Sequence, residues 1–315
     1  MLARKEFQYI TSDMNRFDRL WQTDPPRAYA DWQAREAAGA DRRPFSARSI
    51  VQHEAMFERF RRHLFAVNET LATFGSDHIE AFWRTPEAGG YSAATRMRYM
   101  KLLDRLCRHL VAIGVREGNP AEKLVRDGRW PQDDPLPIFL PEDADSRLQA
   151  HVQPHAGDNL PTLRSRAIVA FFFGTGVTVA EGRSAQVADL HPAAAPPYLR
   201  VPAHGARDTR TVHLDAFAVP ILSAWIELRA SLPYSGELLF SLQPSGIPIA
   251  EMSLGRIVRA ALAMIDFEAD DMSPRVLRNT FCRRQLLAGR SSEDVSKQLG
   301  LVSSRTCDRI AATIE

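Results

Sequence analysis

Ser273-Pro-Arg275-Val-Leu-Arg278-Asn-Thr-Phe281, then Gln285-Leu-Leu-Ala-Gly289, then Val295-Ser-Lys-Gln-Leu-Gly300-Leu-Val-Ser-Ser-Arg-Thr-Cys307-Asp-Arg-Ile310, is the stretch on which this chain turns. Its apolar spacing predicts helices over 273–288 and 291–299. Arg275 and Arg278 sit on the first turns of the former. No phenol lies in the stretch, because the last tyrosine of the sequence is Tyr234.

Working back from there, further helices are expected over 142–152, 162–173, 179–188, 215–231 and 250–266. Gly174-Thr-Gly176 interrupts the strongly apolar run that ends at Phe173. Tyr198–Val201 and Thr211–Leu214 alternate like two short strands, joined by a turn at His204-Gly-Ala-Arg207-Asp208. Residues 127–141 are proline-rich and polar, which reads as a linker between domains. Before it lies a helical unit over 46–126. Ser46 can cap a helix carrying Ile50, Met56, Phe57, Phe60, Leu64 and Phe65. A second helix begins near Ser76-Asp77 and buries Ile79, Phe82 and Trp83. Ser92 opens a third, with Tyr99, Leu102, Leu103, Leu106, Leu110 and Val111 inward. Arg98, Lys101, Arg105 and Arg108 fall at helical spacing on its opposite face. Two readings of that stripe stay open: a solvated helix face, or a ridge that binds a nucleic-acid backbone. Residues 1–45 form an N-terminal extension whose role is not legible.

The 315 residues are 45% hydrophobic and 25% charged, enough for two domains with real cores. No apolar run is long enough to span a membrane, so no membrane partner is expected. The start has a basic beginning without an apolar segment behind it, so no secretory signal is expected. Three scattered cysteines, Cys107, Cys282 and Cys307, have no metal-ligand spacing and suit a reducing compartment. No metal or other cofactor is expected. The net charge of +2 says nothing by itself about partners, but lysine occurs only at 5, 101, 123 and 297. Positive charge is therefore nearly all arginine, whose planar fork binds phosphate in bidentate fashion.

The ordered set of a helical unit ending Asn119-Pro120, a proline-rich linker, Arg164-Ser-Arg166, Gly174-Thr-Gly-Val-Thr178-Val-Ala-Glu181, a hairpin, Leu239-Phe-Ser241, Ser273-Pro-x-x-Leu277-Arg278-x-x-Phe281 and Leu299-Gly300 resembles the tyrosine recombinase, or phage integrase, family. The resemblance covers roughly residues 46–310. It implies a mainly α fold with a small antiparallel β-sheet: a helical core-binding (SAM-like) domain at 46–126, the linker, and a catalytic-like domain at 142–315. It also implies double-stranded DNA as partner, held between the two domains, and a bacterial, cytoplasmic, nucleoid-associated setting.

In that family a tyrosine hydroxyl attacks a DNA phosphodiester, two arginines hold the phosphate oxygens, and a hairpin lysine and histidines assist charge and proton transfer. Position by position, Thr178 stands where the first arginine belongs and Glu181 is kept. His204 and Arg207 are the basic residues nearest the missing hairpin lysine. Arg275 and Asn279 stand at histidine positions, Arg278 retains the second arginine, Leu301 replaces the third histidine, and the nucleophile position falls on Ile310. Removing a single oxyanion donor costs roughly 2.7–4 kcal/mol, and here several such groups depart together. The resemblance with these departures implies a DNA-binding accessory or regulator of recombination at a mobile element, working beside an active recombinase or with a second copy of itself. Its DNA contacts would come from Arg278, Arg275, Arg207, Arg210, His204, Arg98, Lys101, Arg105 and Arg108. Two alternatives stand beside it: an active recombinase using a non-tyrosine nucleophile or a partner's tyrosine, and a protein-interaction module without DNA binding. Since the sequence stops at Glu315, a C-terminal helix exchanged between protomers is expected to be short or missing.

Overall fold

The computed structural model describes residues 19–37, 44–127, 136–203, 208–301 and 303–314. The chain divides into two compact units, Met1–Asp134 and Pro135–Glu315.

The first unit is helical: α1 (Pro25–Arg35), α2 (Ala47–Ala66), α3 (Ser76–Phe82), α4 (Pro86–Gly89), α5 (Ala93–Ala112) and α6 (Pro120–Asp127). The two long helices start at serines whose hydroxyls take an otherwise orphaned backbone N–H. Ser46 accepts from Ser49 at 3.2 Å and Ser92 from Thr95 at 3.3 Å. Phe57, Phe60 and Leu64 of α2 meet Ile79 and Phe82 of α3 and Tyr99, Leu102, Leu103, Leu106 and Leu110 of α5 in one core. Trp21, Tyr29 and Trp32 belong to the same core, and the Tyr29 ring stacks on Phe57 with centroids 4.1 Å apart. Part of the stretch read only as an extension therefore builds this unit. Two positions assigned to the inner faces point outward: Phe65 is 79% exposed and Val111 37%. Each follows a buried leucine by one residue, a rotation of about 100° around the helix that carries it off the apolar stripe.

The second unit contains α7 (Glu142–His151), α8 (Leu160–Thr175), α9 (Val179–Ser184), the strands β1 (Leu190–His191), β2 (Tyr198–Val201) and β3 (Arg210–His213), then α10 (Val219–Ser231), α11 (Glu251–Ala263), α12 (Pro274–Leu287), α13 (Ser292–Leu299) and α14 (Arg305–Ala311). It is mainly helical with a small antiparallel sheet in the order β1-β2-β3. Leu190 pairs with Leu199, and Leu199 with Val212. The hairpin expected from alternation thus gains a third strand too short to show any period. The helix expected over 179–188 stops at Ser184 and resumes only as a single 3-10 turn, Val187–Asp189.

The centre of this unit is α8. Asn159 caps it by accepting from Thr162 N at 3.0 Å, and Gly176 ends it in the left-handed conformation, φ 62°. Residues 167–175 are buried without a break, as befits a helix covered on all sides. It packs against α10, α11 and α12. Burial of each of Phe171, Phe172 and Phe173 contributes about 1.5–3 kcal/mol.

Candidate functional site

Three of the family positions, Thr178, Glu181 and Arg278, converge where the ends of α8, α9, α12 and α13 meet strand β3. Thr178 is the N-cap of α9 and shares a capping box with Glu181: the Thr178 N–H and hydroxyl each donate to Glu181 Oε2 at 2.8 Å. From β3, Arg210 donates to both Glu181 oxygens, at 2.8 and 3.0 Å. Its Nε donates to the Gln298 carbonyl of α13 at 2.8 Å. The Glu181 carboxylate thus accepts four hydrogen bonds, and the two side chains are 2% and 10% exposed. Burial alone would raise the Glu181 pKa, but the bonds from Arg210 and Thr178 outweigh it and hold the group at about 2. Glu181 is therefore a fixed anion that braces an arginine and a helix start together.

Arg278, on α12, reaches across this junction. Its Nη1 donates to the Gly176 carbonyl and its Nη2 to the Leu299 carbonyl at 2.8 Å. These carbonyls lie at the C-terminal ends of α8 and α13, where helix dipoles present negative charge to the guanidinium. Both ends are glycine-capped: Gly176 and Gly300 adopt φ 62° and 65°. Gly176 also has no room for a side chain, since a Cβ there would lie 2.5 Å from Phe281 Cδ1 and 2.8 Å from Leu299 Cδ2. Thr-Gly and Leu-Gly thus position the arginine that the Ser-Pro helix supplies.

Three further family positions are structural. Asn279, at a histidine position, is buried and donates to the Ile138 carbonyl at 2.8 Å. Leu301 packs against the core. Ile310, at the nucleophile position, is 0% exposed within it. Tyr234, the last tyrosine, accepts from Arg164 at 2.9 Å, and Arg229 lies over its ring at 5.0 Å. Ser304 donates to Asp308 at 2.8 Å as an element of local helix structure. Arg183 points to the Ile249 carbonyl and Glu251 and does not replace the arginine missing at Thr178.

Two residues placed on the DNA-facing surface need correction. Arg210 was expected to track a groove from the hairpin, but its guanidinium is spent on Glu181 and Gln298. Arg105 was placed in the exposed stripe of α5, but it is half-buried with its guanidinium over the Phe45 ring at 4.4 Å. The other three, Arg98, Lys101 and Arg108, are exposed. Arg108 pairs with the buried Asp104, which Asn119 also holds at 2.8 Å. Arg275 extends into solvent, 74% exposed, beside Asp271 at 3.0 Å. His204 and Arg207 lie outside the described residues.

Sequence reasoning missed Arg284. From α12 it donates to Asp145 of α7 at 2.8 Å, to Asp215 at 3.0 Å and to the Phe173 carbonyl, with its guanidinium stacked 4.1 Å from the Phe173 ring. Nothing local in the sequence marks it, because its partners lie 139, 69 and 111 residues away. Among the described residues no group of three or more His, Cys, Asp or Glu side chains could hold a metal ion. No described helix is long and apolar enough to cross a membrane.

No family model matches the chain. It is 27% identical over 260 residues to the tyrosine recombinase XerD of Brucella suis biovar 1, covering 77% of this chain and 82% of the relative. Among solved structures it is similar to the XerH site-specific recombinase bound to palindromic difH substrate in a post-cleavage complex, with a TM-score of 0.74, 16% identity, and coverage of 95% and 91%. The Tn1549 transposon integrase in complex with a circular intermediate DNA matches with a TM-score of 0.68, 14% identity, and coverage of 92% and 97%.

Proposed function

Since the chain is a relative of the tyrosine recombinases in sequence and shares their fold, we propose that it binds duplex DNA as they do and takes part in recombination or integration without itself cleaving the strand. Arg278 carries this reading. It is held between two helix ends and stands where the family resemblance expects a phosphate-binding arginine, while the residue at the expected nucleophile position is a fully buried isoleucine. Phosphate binding needs a positioned cation, which remains. Transesterification needs in addition an ionisable hydroxyl in line with the phosphorus, and Ile310 offers none. Arg275 cannot replace a histidine as proton shuttle, because guanidinium stays charged at any relevant pH. The protein would therefore act as an accessory or regulatory subunit at a mobile element, beside an active recombinase or a second copy of itself, in the cytoplasm of a bacterium.

Two measurements test this. Fluorescence anisotropy with duplex DNA should show binding that Arg278→Glu weakens by at least tenfold, and no binding even at low salt would sink the proposal. A nicked suicide substrate should trap no covalent adduct, alone or with a recombinase added. An adduct on this chain would establish a substitute nucleophile instead.

A further inference from the structure

Two of the three cysteines meet inside the second unit. Cys282 follows Arg278 by one turn on the same face of α12, and Cys307 precedes Ile310 by three residues on α14. Both are buried, and their sulfurs are 3.3 Å apart. Ser296 of α13 donates its hydroxyl to Cys307 at 3.1 Å, so Cys307 accepts from two directions. The third cysteine, Cys107, belongs to the other unit, where Arg116 donates to its sulfur at 3.4 Å.

We propose that Cys282 and Cys307 are a dithiol modification site that closes to an intramolecular disulfide under peroxide and covalently ties α12 to α14. The geometry carries it. A disulfide needs sulfurs about 2.05 Å apart, so these must approach by about 1.3 Å, within reach of small side-chain rotations on two helices already in contact. The environment assigns the roles. The hydrogen bond from Cys282 leads in lowering the Cys307 thiol to about 7; burial opposes it, and the Ser296 hydroxyl and the Arg278 charge add to it. Its bond to Cys307 and burial together push Cys282 up. Cys307 is thus the thiolate that attacks, and Cys282 the thiol that resolves.

The chemistry balances with hydrogen peroxide as oxidant. The Cys307 thiolate attacks one peroxide oxygen, the O–O bond breaks, and a sulfenic acid and hydroxide form. The Cys282 sulfur then attacks the sulfenyl sulfur, the S–S bond forms, and the sulfenic oxygen leaves as water with the Cys282 proton. Hydroxide recovers the proton that Cys307 had lost. Two thiols give up two electrons, and one peroxide becomes two waters. The product fixes the helix bearing the nucleophile position to the helix that presents Arg278.

The full chain is treated with hydrogen peroxide, alkylated under denaturing conditions, digested with trypsin and weighed. The expected product has lost two hydrogens, joins peptide 279–283 to peptide 306–309, carries alkylated Cys107, and reverts with dithiothreitol. Its unfolding temperature should rise by about 5–10 °C, since the bond closes a loop between residues 25 apart. Cys282→Ser and Cys307→Ser should each abolish the joined peptide. Cys282 and Cys307 both remaining alkylatable, Cys307 ending as sulfinic acid without a link, or a link through Cys107 would each overturn the proposal. None of these readouts depends on DNA, so they stand apart from the binding experiment.

Discussion

At the scale of single residues, the ion pair of Glu181 and Arg210 sets how the site responds to acid. The Glu181 carboxyl is held at about 2, below its ordinary value of 4.5. A carboxylate depressed in the folded state contributes stability that is complete above the unfolded value and is lost as pH falls toward the folded one. Between about pH 5 and pH 2 that loss amounts to about 3 kcal/mol. Urea unfolding of the wild type and Glu181→Gln across this window should show their stability difference shrinking by that amount. Parallel curves would mean that the carboxylate is not held down. The glutamate's structural part was legible, because Thr178 and Glu181 stand at capping-box spacing and the family keeps the glutamate. Its arginine partner was not, because Arg210 lies 29 residues away and arrives through strand pairing that no local pattern encodes.

At the scale of elements, the glycines that end α8 and α13 do more than stop helices. They turn two carbonyls toward one guanidinium, and Gly176 does so against a wall formed by Phe281 and Leu299. Gly176→Ala should cost about 2–5 kcal/mol, combining the left-handed backbone penalty with overpacking. Gly289→Ala is the comparison: its φ is 82°, yet a Cβ there meets nothing within 4 Å, so only the backbone penalty applies. Equal shifts of the urea midpoint in the two variants would remove the packing argument. Helix starts were legible where a serine caps an apolar stripe, as at Ser46 and Ser92, whereas the helix expected from 162 begins at Leu160 behind its Asn159 cap. The two-residue strand β1 was not legible, since its pairing is decided by β2 alone. The meeting of Cys282 with Cys307 was also out of reach, because it depends on how α12 packs against α14.

At the scale of the whole molecule, charge is divided between two tasks. In the first unit Arg98, Lys101 and Arg108 are exposed, and in the second Arg275 is. If these contact phosphates, log affinity for duplex DNA falls linearly with log salt, by about 0.9 for each phosphate neutralised. Arg275→Ala should lower that slope by about one unit while leaving the unfolding temperature nearly unchanged, because its pairing with Asp271 is exposed. An unchanged slope would take Arg275 out of the interface. The helical stripe that suggested a ridge was legible in the spacing of α5. That Arg105 would turn inward onto Phe45 was not, since the ring comes from outside the helix.

The inward arginines carry a consequence for how the molecule meets a polyanion. Arg166 holds Asp158, Arg210 holds Glu181, and Arg284 holds Asp145 and Asp215, each at 3.0 Å or less and each largely shielded from solvent. An arginine-rich formula thus overstates the cations that a DNA strand could encounter, because a share of them serves as internal rivets. Electrolyte reaches the outer charges and not the inner ones. Rising salt should therefore release the nucleic acid from an intact protein well before it loosens the fold.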